Sequence, residues 1–312
     1  MTGLTSVTCY ENGTLFLDSL GNVFGCGSNN DNHLPLSGNT QKFSSPTKST
    51  ILPPIKSIAT GDRFSLFLDE SGNVWKTSPG KNPEIVPDLD EIAAISMCYN
   101  HCLLLDTRGN VWEMGQSQRS RLVRSNDLQM QQRRIEVPPA RFVAAGFDNS
   151  MIIDTQYNIW ACGRNEDQQL VLPDQQLTLQ KLPGMPDDVE SIELNKSGSI
   201  FLRESGTVSV IGSNAYGKLG VGHFSKVRTL TSPTRIPNIA AVSKNYAMAN
   251  HTFFVDTEGN CWGTGSDEHN QLGMGDRVLY RTSRSLSNPI KVEGLPRLLL
   301  SPILPIKSAR NI

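Results

Sequence analysis

The sequence has few charged residues and no long apolar run. Charged side chains make up 19% of the 312 residues, and 29 basic against 30 acidic ones leave a net charge of −1. This balance gives no bulk attraction to nucleic acid or to an anionic membrane. No apolar run approaches the ~18 residues that span a bilayer, and the first five residues lack the basic and apolar regions of a signal peptide. We therefore expect an intracellular protein, cytoplasmic or nuclear, without a membrane span.

Residue types that carry catalysis or bind metals are also sparse. There are five histidines and six cysteines without a CxxC pair, so we expect reduced thiols rather than disulfides. The nucleophile elbow, the phosphate-binding loop and the His-Glu-x-x-His motif are all absent. The His/Cys cluster of Cys98, His101 and Cys102 falls at a repeat turn, and the pair Asp187-Asp188 has no partner carboxylate at fixed spacing. We expect no metal, no cofactor, no small-molecule substrate and no covalent catalysis.

What the sequence does contain is an internal repeat. The string Asp-x-x-Gly-Asn-apolar-aromatic begins at Asp18, Asp69, Asp106 and Asp256, and degraded copies begin at Asp154 and Arg203. Positions equivalent to its Asn are 51, 37, 48, 49 and 53 residues apart, which makes six repeats. A small residue precedes each Asp position by four residues, and all four tryptophans share one position: Trp75, Trp112, Trp160 and Trp262. This recurrence favours a core position over a binding site.

The repeat predicts an all-β fold. Segments such as 65–69 and 102–106 are short, continuous apolar runs, as in strands covered on both faces. The Asp-x-x-Gly string that follows is typical of a hairpin turn, and further strands follow Pro-rich segments such as 53–58. Repeats of about four short strands, each too small to bury its own faces, predict a β-propeller. An open solenoid is the alternative.

Two segments resemble a known family. Residues 213–222 and 266–275 are similar to the Gly-x-Asn-x-x-Gly-Gln-Leu-Gly-x-Gly segment of the regulator of chromosome condensation (RCC1) repeats. Residues 100–102 and 250–252 resemble that family's Gly-x-x-His-Ser step, whereas the signatures of WD40 and kelch repeats are missing. The resemblance extends over about residues 4–300 and implies an RCC1-like β-propeller. Its members commonly have seven blades, so six or seven are expected here.

The spacing also suggests how the domain is built. We expect a single propeller domain over residues 1–300, with repeats near 21–71, 72–108, 109–157, 158–205, 206–258 and 259–300 plus 1–20, and a tail at 301–312. Residues 7–18 supply the late part of a repeat and residues 259–300 the early part. One blade is therefore expected to pair the N- and C-terminal segments and so close the ring.

The resemblance implies binding of a small GTPase of the Ran type or a relative. Family exchange factors wedge a loop against the GTPase and favour its nucleotide-free form, and bacterial effectors also occur in the family. The alternatives are a non-catalytic scaffold for another protein or for chromatin, and an enzyme with a site at the channel mouth. Nucleic acid is not expected as a partner, and the protein is expected to be a monomer.

The long loops are the expected recognition surface. Loops 28–46, 116–136, 164–180, 213–233 and 266–289 alternate with the hairpin turns, so they should share one face with the turns that precede the small residue. Arginine and tyrosine are enriched at interfaces, and arginine binds carboxylates, which favours an acidic protein partner. The predicted contact residues come from the second and the last of these five loops: Arg119, Arg121, Arg124, Arg133, Arg134, Asp267, Glu268, His269, Tyr280 and Arg281.

We predict that charge reversal in the Arg-rich loop slows association with an acidic partner. Attraction between unlike charges steers encounter at long range and is strongest at low salt, so it acts mainly on the association rate. The variant carries Arg119→Glu, Arg121→Glu and Arg124→Glu, and its association rate is measured at two ionic strengths. Charge reversal at Glu70 and Glu258, in hairpin turns, is the control. A folded triple variant that associates at the wild-type rate at low salt would contradict the prediction.

Overall fold

The structure is a computed structural model. It describes residues 3–10, 12–29, 33–36, 42–61, 64–78, 81–99, 101–115, 132–172, 176–222, 229–274 and 284–295. Within these ranges the chain forms 24 strands and one short 3₁₀ turn at Ala215–Gly217. The strands make six four-stranded sheets with the orders β1-β2-β3-β4, β5-β6-β7-β8, β9-β10-β11-β12, β13-β14-β15-β16, β17-β18-β19-β20 and β21-β22-β23-β24.

The described residues as far as Phe147 form one compact unit. Its strands are β1 (Leu4–Tyr10), β2 (Gly13–Asp18), β3 (Val23–Ser28), β4 (Lys42–Lys48), β5 (Ile55–Thr60), β6 (Ser65–Asp69), β7 (Val74–Ser78), β8 (Lys81–Ile85), β9 (Ile92–Cys98), β10 (His101–Asp106), β11 (Val111–Gly115), β12 (Arg133–Ile135) and β13 (Ala140–Ala145).

The described residues from Asp148 onward form a second compact unit. Its strands are β14 (Asn149–Asp154), β15 (Ile159–Gly163), β16 (Gln176–Lys181), β17 (Val189–Leu194), β18 (Gly198–Arg203), β19 (Val208–Ser213), β20 (Thr229–Arg235), β21 (Val242–Ala247), β22 (His251–Asp256), β23 (Cys261–Ser266) and β24 (Ser285–Lys291).

Each sheet is built from one continuous stretch of chain. The first covers residues 4–48 and the sixth covers residues 242–291. The predicted all-β class and the count of six four-stranded repeats are confirmed. The expectation that residues 1–20 and 259–300 complete one sheet is wrong, because the Asp-x-x-Gly turn joins the second and third strands of a sheet. Residues before Asp18 are therefore the first two strands of the first sheet, and the proposed tail at 301–312 lies outside the described residues.

A buried carboxylate organises the hairpin turn in five of the six sheets. Asp154 Oδ1 accepts the backbone N–H groups of Gln156 and Asn158, both at 2.9 Å, while Oδ2 accepts Asn158 Nδ2 at 2.9 Å and Trp160 Nε1 at 3.0 Å. Asp69 and Asp256 collect the same four donors. The repeated Asp, Asn and Trp are therefore parts of one hydrogen-bonded turn.

These hydrogen bonds change the acidity of the carboxyls. Burial alone would raise the pKa, but donation from the indole, the Asn amide and the backbone outweighs it, so the pKa values of Asp69, Asp154 and Asp256 lie below 3.8. A lowered pKa in the folded state adds stability above the unfolded pKa. That stability is lost as the pH falls through the lowered value.

The glycine of the turn joins one sheet to the next. Gly21, with φ of 77°, accepts the backbone N–H of Ile55 at 2.9 Å, and Gly72, with φ of 86°, accepts that of Ile92 at 3.1 Å. A Cβ at Gly21 would lie 2.9 Å from the nitrogen of Ile55. Glycine is required here both by the left-handed backbone and by the close approach of the next first strand.

Apolar side chains fill the space between successive sheets. In the first compact unit, Leu15 and Val23 of the first sheet pack with Ile55 and Phe67 of the second. The tryptophans lie half-buried at the margins of such clusters, namely Trp75, Trp112 and Trp262. Their interpretation as packing residues is confirmed, and the indole adds the hydrogen bond to the turn.

We predict that Trp75→Phe destabilises the protein more than Trp112→Phe does. Trp75 Nε1 donates to Asp69 Oδ2 at 2.9 Å, whereas the buried Trp112 Nε1 has no partner among the described residues. Phenylalanine keeps most of the packing, so the first variant should lose about 1.5–3 kcal/mol, the usual contribution of a hydrogen bond to a charged group. Chemical denaturation measures both losses. Equal losses would mean that the indole hydrogen bond contributes nothing.

Candidate partner-binding face

The two ends of each sheet differ chemically. The turn between the second and third strands and the link to the next sheet lie at one end, named here the turn end. The turn between the first and second strands and the connection between the third and fourth lie at the other, named the loop end. The turn end repeats the same Asp-x-x-Gly hairpin, whereas the loop end varies in sequence and length. Variable loops on a rigid scaffold are where recognition residues concentrate.

In four repeats a buried Asn or Asp fixes the start of the connection between the third and fourth strands. The Oδ1 atom of this residue accepts the backbone N–H of the leucine five residues later, at 2.8–2.9 Å. The four residues are Asn29, Asn165, Asn214 and Asp267. Asp267 is fully buried, so it organises the loop and is not the surface contact that the sequence suggested. The next two predicted contacts, Glu268 and His269, are exposed at the loop end.

A buried lysine ties three segments of the second compact unit together. Lys218 lies in the connection that follows β19 and is 2% exposed. Its Nζ donates to Ser197 Oγ, in the turn between β17 and β18, and to the carbonyl oxygen of Ala249, in the turn between β21 and β22, at 3.1 Å. Burial lowers the pKa of Lys218 to about 8. The loop ends of the fifth and sixth sheets are thereby joined by one ammonium group.

Large exposed side chains surround this junction. Tyr216, Tyr246 and Met248 are 45%, 44% and 47% exposed. Tyr216 has φ of 61°, a conformation that non-glycine residues adopt rarely. Lys196 and Asn250, in the two neighbouring turns, are also exposed. We call Lys196, Tyr216, Lys218, Tyr246, Met248 and Asn250 the tyrosine cluster.

An acidic side chain lies beneath this cluster. Glu193, on β17, has its pKa raised to about 7 because it is buried, although the backbone N–H of Ala247 donates a hydrogen bond to it. Partial burial of Tyr246, followed by the negative charge of Glu193, raises the pKa of Tyr246. Glu193 therefore links β17 to β21 at Ala247, the residue after Tyr246.

The first compact unit presents a different loop end. Tyr99, 42% exposed, stacks on Phe147 with ring centroids 4.4 Å apart and an angle of 29° between the rings. The carbonyl oxygen of Tyr99 approaches Gly61 so closely that a Cβ there would lie 2.2 Å from it. Neighbouring turns of the second, third and fourth repeats are thus packed against one another by backbone and aromatic contacts.

The structure separates the predicted arginine contacts. Arg133 and Arg134 are exposed on β12, and the guanidinium of Arg134 donates to Asn110 Oδ1 in the hairpin at the turn end. Arg134 pairs with Trp112, the second residue of β11 after the hairpin at the turn end. It therefore does not lie at the loop end. The other predicted contacts from the two long loops lie outside the described residues: Arg119, Arg121, Arg124, Tyr280 and Arg281.

The His/Cys cluster is part of the core. His101 and Cys102 are buried in β10, and burial lowers the pKa of the histidine to about 4 and raises that of the thiol to about 12. Across the described ranges no three His, Cys, Asp or Glu side chains are placed to hold a metal ion. No helix formed by those residues is long and apolar enough to cross a membrane. Asp188, of the adjacent acidic pair, forms an ion pair with Arg203 at 2.6 Å.

Known proteins share both the repeat and the fold. Residues 21–68 match the family model of the regulator of chromosome condensation (RCC1) repeat. Prp20p from Saccharomyces cerevisiae, the yeast RCC1, superposes with a TM-score of 0.82 at 20% identity over 93% of this chain and 77% of that chain. Human WBSCR16 superposes with a TM-score of 0.78 at 19% identity over 93% of this chain and 82% of that chain.

The fold is an RCC1-like β-propeller. The described residues form six sheets, and these are its blades, in agreement with the six repeats of the sequence. The residues that sequence reasoning missed in this propeller are those of the tyrosine cluster. One signal was present, because Lys218 occupies a position where two other repeats have Gln169 and Gln271. The exposure of Tyr246 and Met248 could not be predicted from the sequence, since Tyr246 lies within an ordinary strand and Met248 directly follows that strand.

We predict that Glu193→Gln stabilises this RCC1-like propeller at pH 8 but not at pH 5. A carboxyl whose pKa is raised by folding contributes stability that is full below its unfolded pKa, near 4.5, and lost as the pH rises through about 7. Glutamine carries no charge and can still accept the N–H of Ala247. Melting temperatures are measured at both pH values, with Glu190→Gln on the same strand as control. Parallel melting of Glu193→Gln and wild type at both pH values would contradict the raised pKa.

Proposed function

We propose that this RCC1-like propeller recognises a small GTPase through its loop end and promotes release of the bound nucleotide. The proposal is supported by the shared fold of Prp20p, a protein whose binding to Gsp1p and histones has been characterised. It is also supported by the contrast between the two ends of the sheets. The turn end is occupied by the hydrogen bonds that hold the fold, whereas the loop end presents side chains that the fold does not use.

The tyrosine cluster is the observation that carries the proposal. Tyrosine and methionine are enriched at protein interfaces because they offer large contact areas, and a flexible thioether adapts to different surfaces. Tyr216, Tyr246 and Met248 are exposed together, and Lys218 holds the loop and the turn that carry Tyr216 and Met248 in fixed positions. A rigid arrangement of exposed aromatic side chains reduces the entropy lost on binding.

Nucleotide release needs binding energy only. A protein that binds the nucleotide-free GTPase more tightly than the nucleotide-bound form lowers the affinity for nucleotide by the same factor, because the two binding equilibria are linked. No nucleophile or general base has to act on a covalent bond. The loop end therefore has to supply a rigid surface that competes with the GTPase's contacts to its nucleotide.

The test uses a panel of small GTPases loaded with a fluorescent guanine nucleotide. One member of the panel is expected to bind the propeller and to release its nucleotide faster in its presence. Tyr216→Ala and Met248→Ala should each weaken that binding about five- to tenfold, as the truncation of interface anchors typically does. Binding is measured by biolayer interferometry and release by the loss of fluorescence.

Leu20→Ala is the matched control for these variants. Leu20 is 66% exposed but lies in a hairpin at the turn end, so its truncation should leave binding unchanged. Binding without faster release would contradict exchange activity and favour a non-catalytic scaffold. Binding of histones by the propeller, with no GTPase bound, would contradict the choice of partner and favour the chromatin alternative.

A further inference from the structure

Lys218 departs from the repeat at a position where a neutral side chain suffices. Gln169 and Gln271 occupy the same place in two other repeats, immediately before the buried leucine of the loop. Gln169 Oε1 accepts the backbone N–H of Asp167 at 3.1 Å, and Gln271 Oε1 accepts that of His269 at 2.8 Å. Each glutamine closes its own loop. A lysine cannot accept a hydrogen bond, so Lys218 does not perform this task.

The ammonium of Lys218 is buried and forms no ion pair with a described residue. It donates two hydrogen bonds, to the hydroxyl of Ser197 and the carbonyl of Ala249, and both acceptors are neutral. No carboxylate in the described part of the chain forms an ion pair with it, and no acceptor there takes its third N–H. A buried charge without an opposite charge is costly, and burial accordingly lowers the pKa of this lysine to about 8.

Two charged residues act on Lys218 from neighbouring segments. The carboxylate of Asp167, in the connection after β15, raises its pKa, and the exposed ammonium of Lys196, beside Ser197, lowers it. The positive charge of Lys196 therefore acts on the ammonium of Lys218. The turn of residues 248–250, which covers the third side, has no titratable side chain. The two lysines and Asp167 together leave one net positive charge beside the tyrosine cluster.

We propose that Lys218 and Lys196 form an anion-binding site that takes an Asp or Glu carboxylate of the protein partner. This inference rests on the proposed recognition of a protein at the loop end. A single carboxylate forms the ion pair that Lys218 lacks within the described chain and accepts its third N–H. Glu166, Asp167 and Glu268 also lie at the loop end of the same compact unit, and their negative charge would oppose a polyanion such as nucleic acid.

The first experiment reads the site without any GTPase. Protein labelled with ¹³C-lysine is titrated by NMR with an acetylated, amidated Gly-Asp-Glu-Gly peptide, and the Lys218 signal is assigned through Lys218→Gln. The acidic peptide should shift this signal and raise its titration midpoint, while a Gly-Asn-Gln-Gly peptide should do neither. Lys181→Gln, on the outer strand β16, is the control and should leave the response of Lys218 unchanged. No response to the acidic peptide, or a stronger response to inorganic phosphate, would overturn the carboxylate assignment.

The second experiment uses the GTPase identified under the proposed function. Lys218→Gln, which introduces the residue that the repeat uses elsewhere, should fold normally and weaken binding about 30-fold or more, as the loss of one partner from a buried charge pair does. Lys196→Gln should weaken binding less, because that side chain is exposed. Wild-type affinity should fall between pH 7 and pH 9 as Lys218 loses its proton, whereas the affinity of Lys218→Gln should not change with pH.

The two experiments separate the two proposals. If no GTPase binds, the peptide titration still tests the anion site. If a GTPase binds and Lys218→Gln binds it as tightly as the wild type at pH 7, the anion site is wrong and the proposed function stands. Lys218→Arg keeps the positive charge above pH 9, so its affinity should not decline with pH. A decline equal to that of the wild type would assign the pH dependence to another group.

Discussion

The Asp carboxylate of the hairpin turn is the interaction on which the fold depends. It gathers two backbone N–H groups, the Asn amide and, at Asp69, Asp154 and Asp256, an indole N–H. These bonds set the geometry of the turn, and the glycine within it then accepts the first strand of the following sheet. One short string therefore defines the pairing within a sheet and the attachment of the next. A chain with few charged residues can repeat this turn at low cost because the turn satisfies its own polar groups.

Because the hydrogen bonds that join the sheets lie at the turn end, the loop end can vary in sequence. Most blades keep the same carboxylate, glycine and backbone contacts at the turn end, so substitutions there act on stability. The loop end needs only one Asn or Asp to accept the N–H of a leucine, as Asn214 does for Leu219. Residues around that anchor can change without loss of the fold, which explains why Tyr216 and Lys218 occur beside it.

Much of the fold could be predicted because its determinants are local. The Asp-x-x-Gly string, the small residue before it and the tryptophan position together indicated four-stranded repeats and their number. The starting point of a repeat could not be predicted, since the string marks the middle of a sheet and not its edge. The site was harder to predict, because Asp267 looks like a surface acid until Leu272 is seen to donate to it. Lys218 likewise gains its meaning only from Ser197 and Ala249, which are distant in sequence.

In a repeat protein, a residue that differs from its equivalents in the other repeats can be compared with them directly. Arg203 replaces the turn Asp, but Asp188 pairs with its guanidinium, so the change is balanced within the fold. Tyr157 replaces the turn glycine with φ of 64°, and its hydroxyl donates to Glu204 at 2.8 Å. Lys218 differs from both, because no carboxylate in the described part of the chain forms an ion pair with it and burial still lowers its pKa to about 8. A departure that the fold compensates is explained by stability alone. One that leaves a buried charge unbalanced is explained when the balancing group comes from a partner.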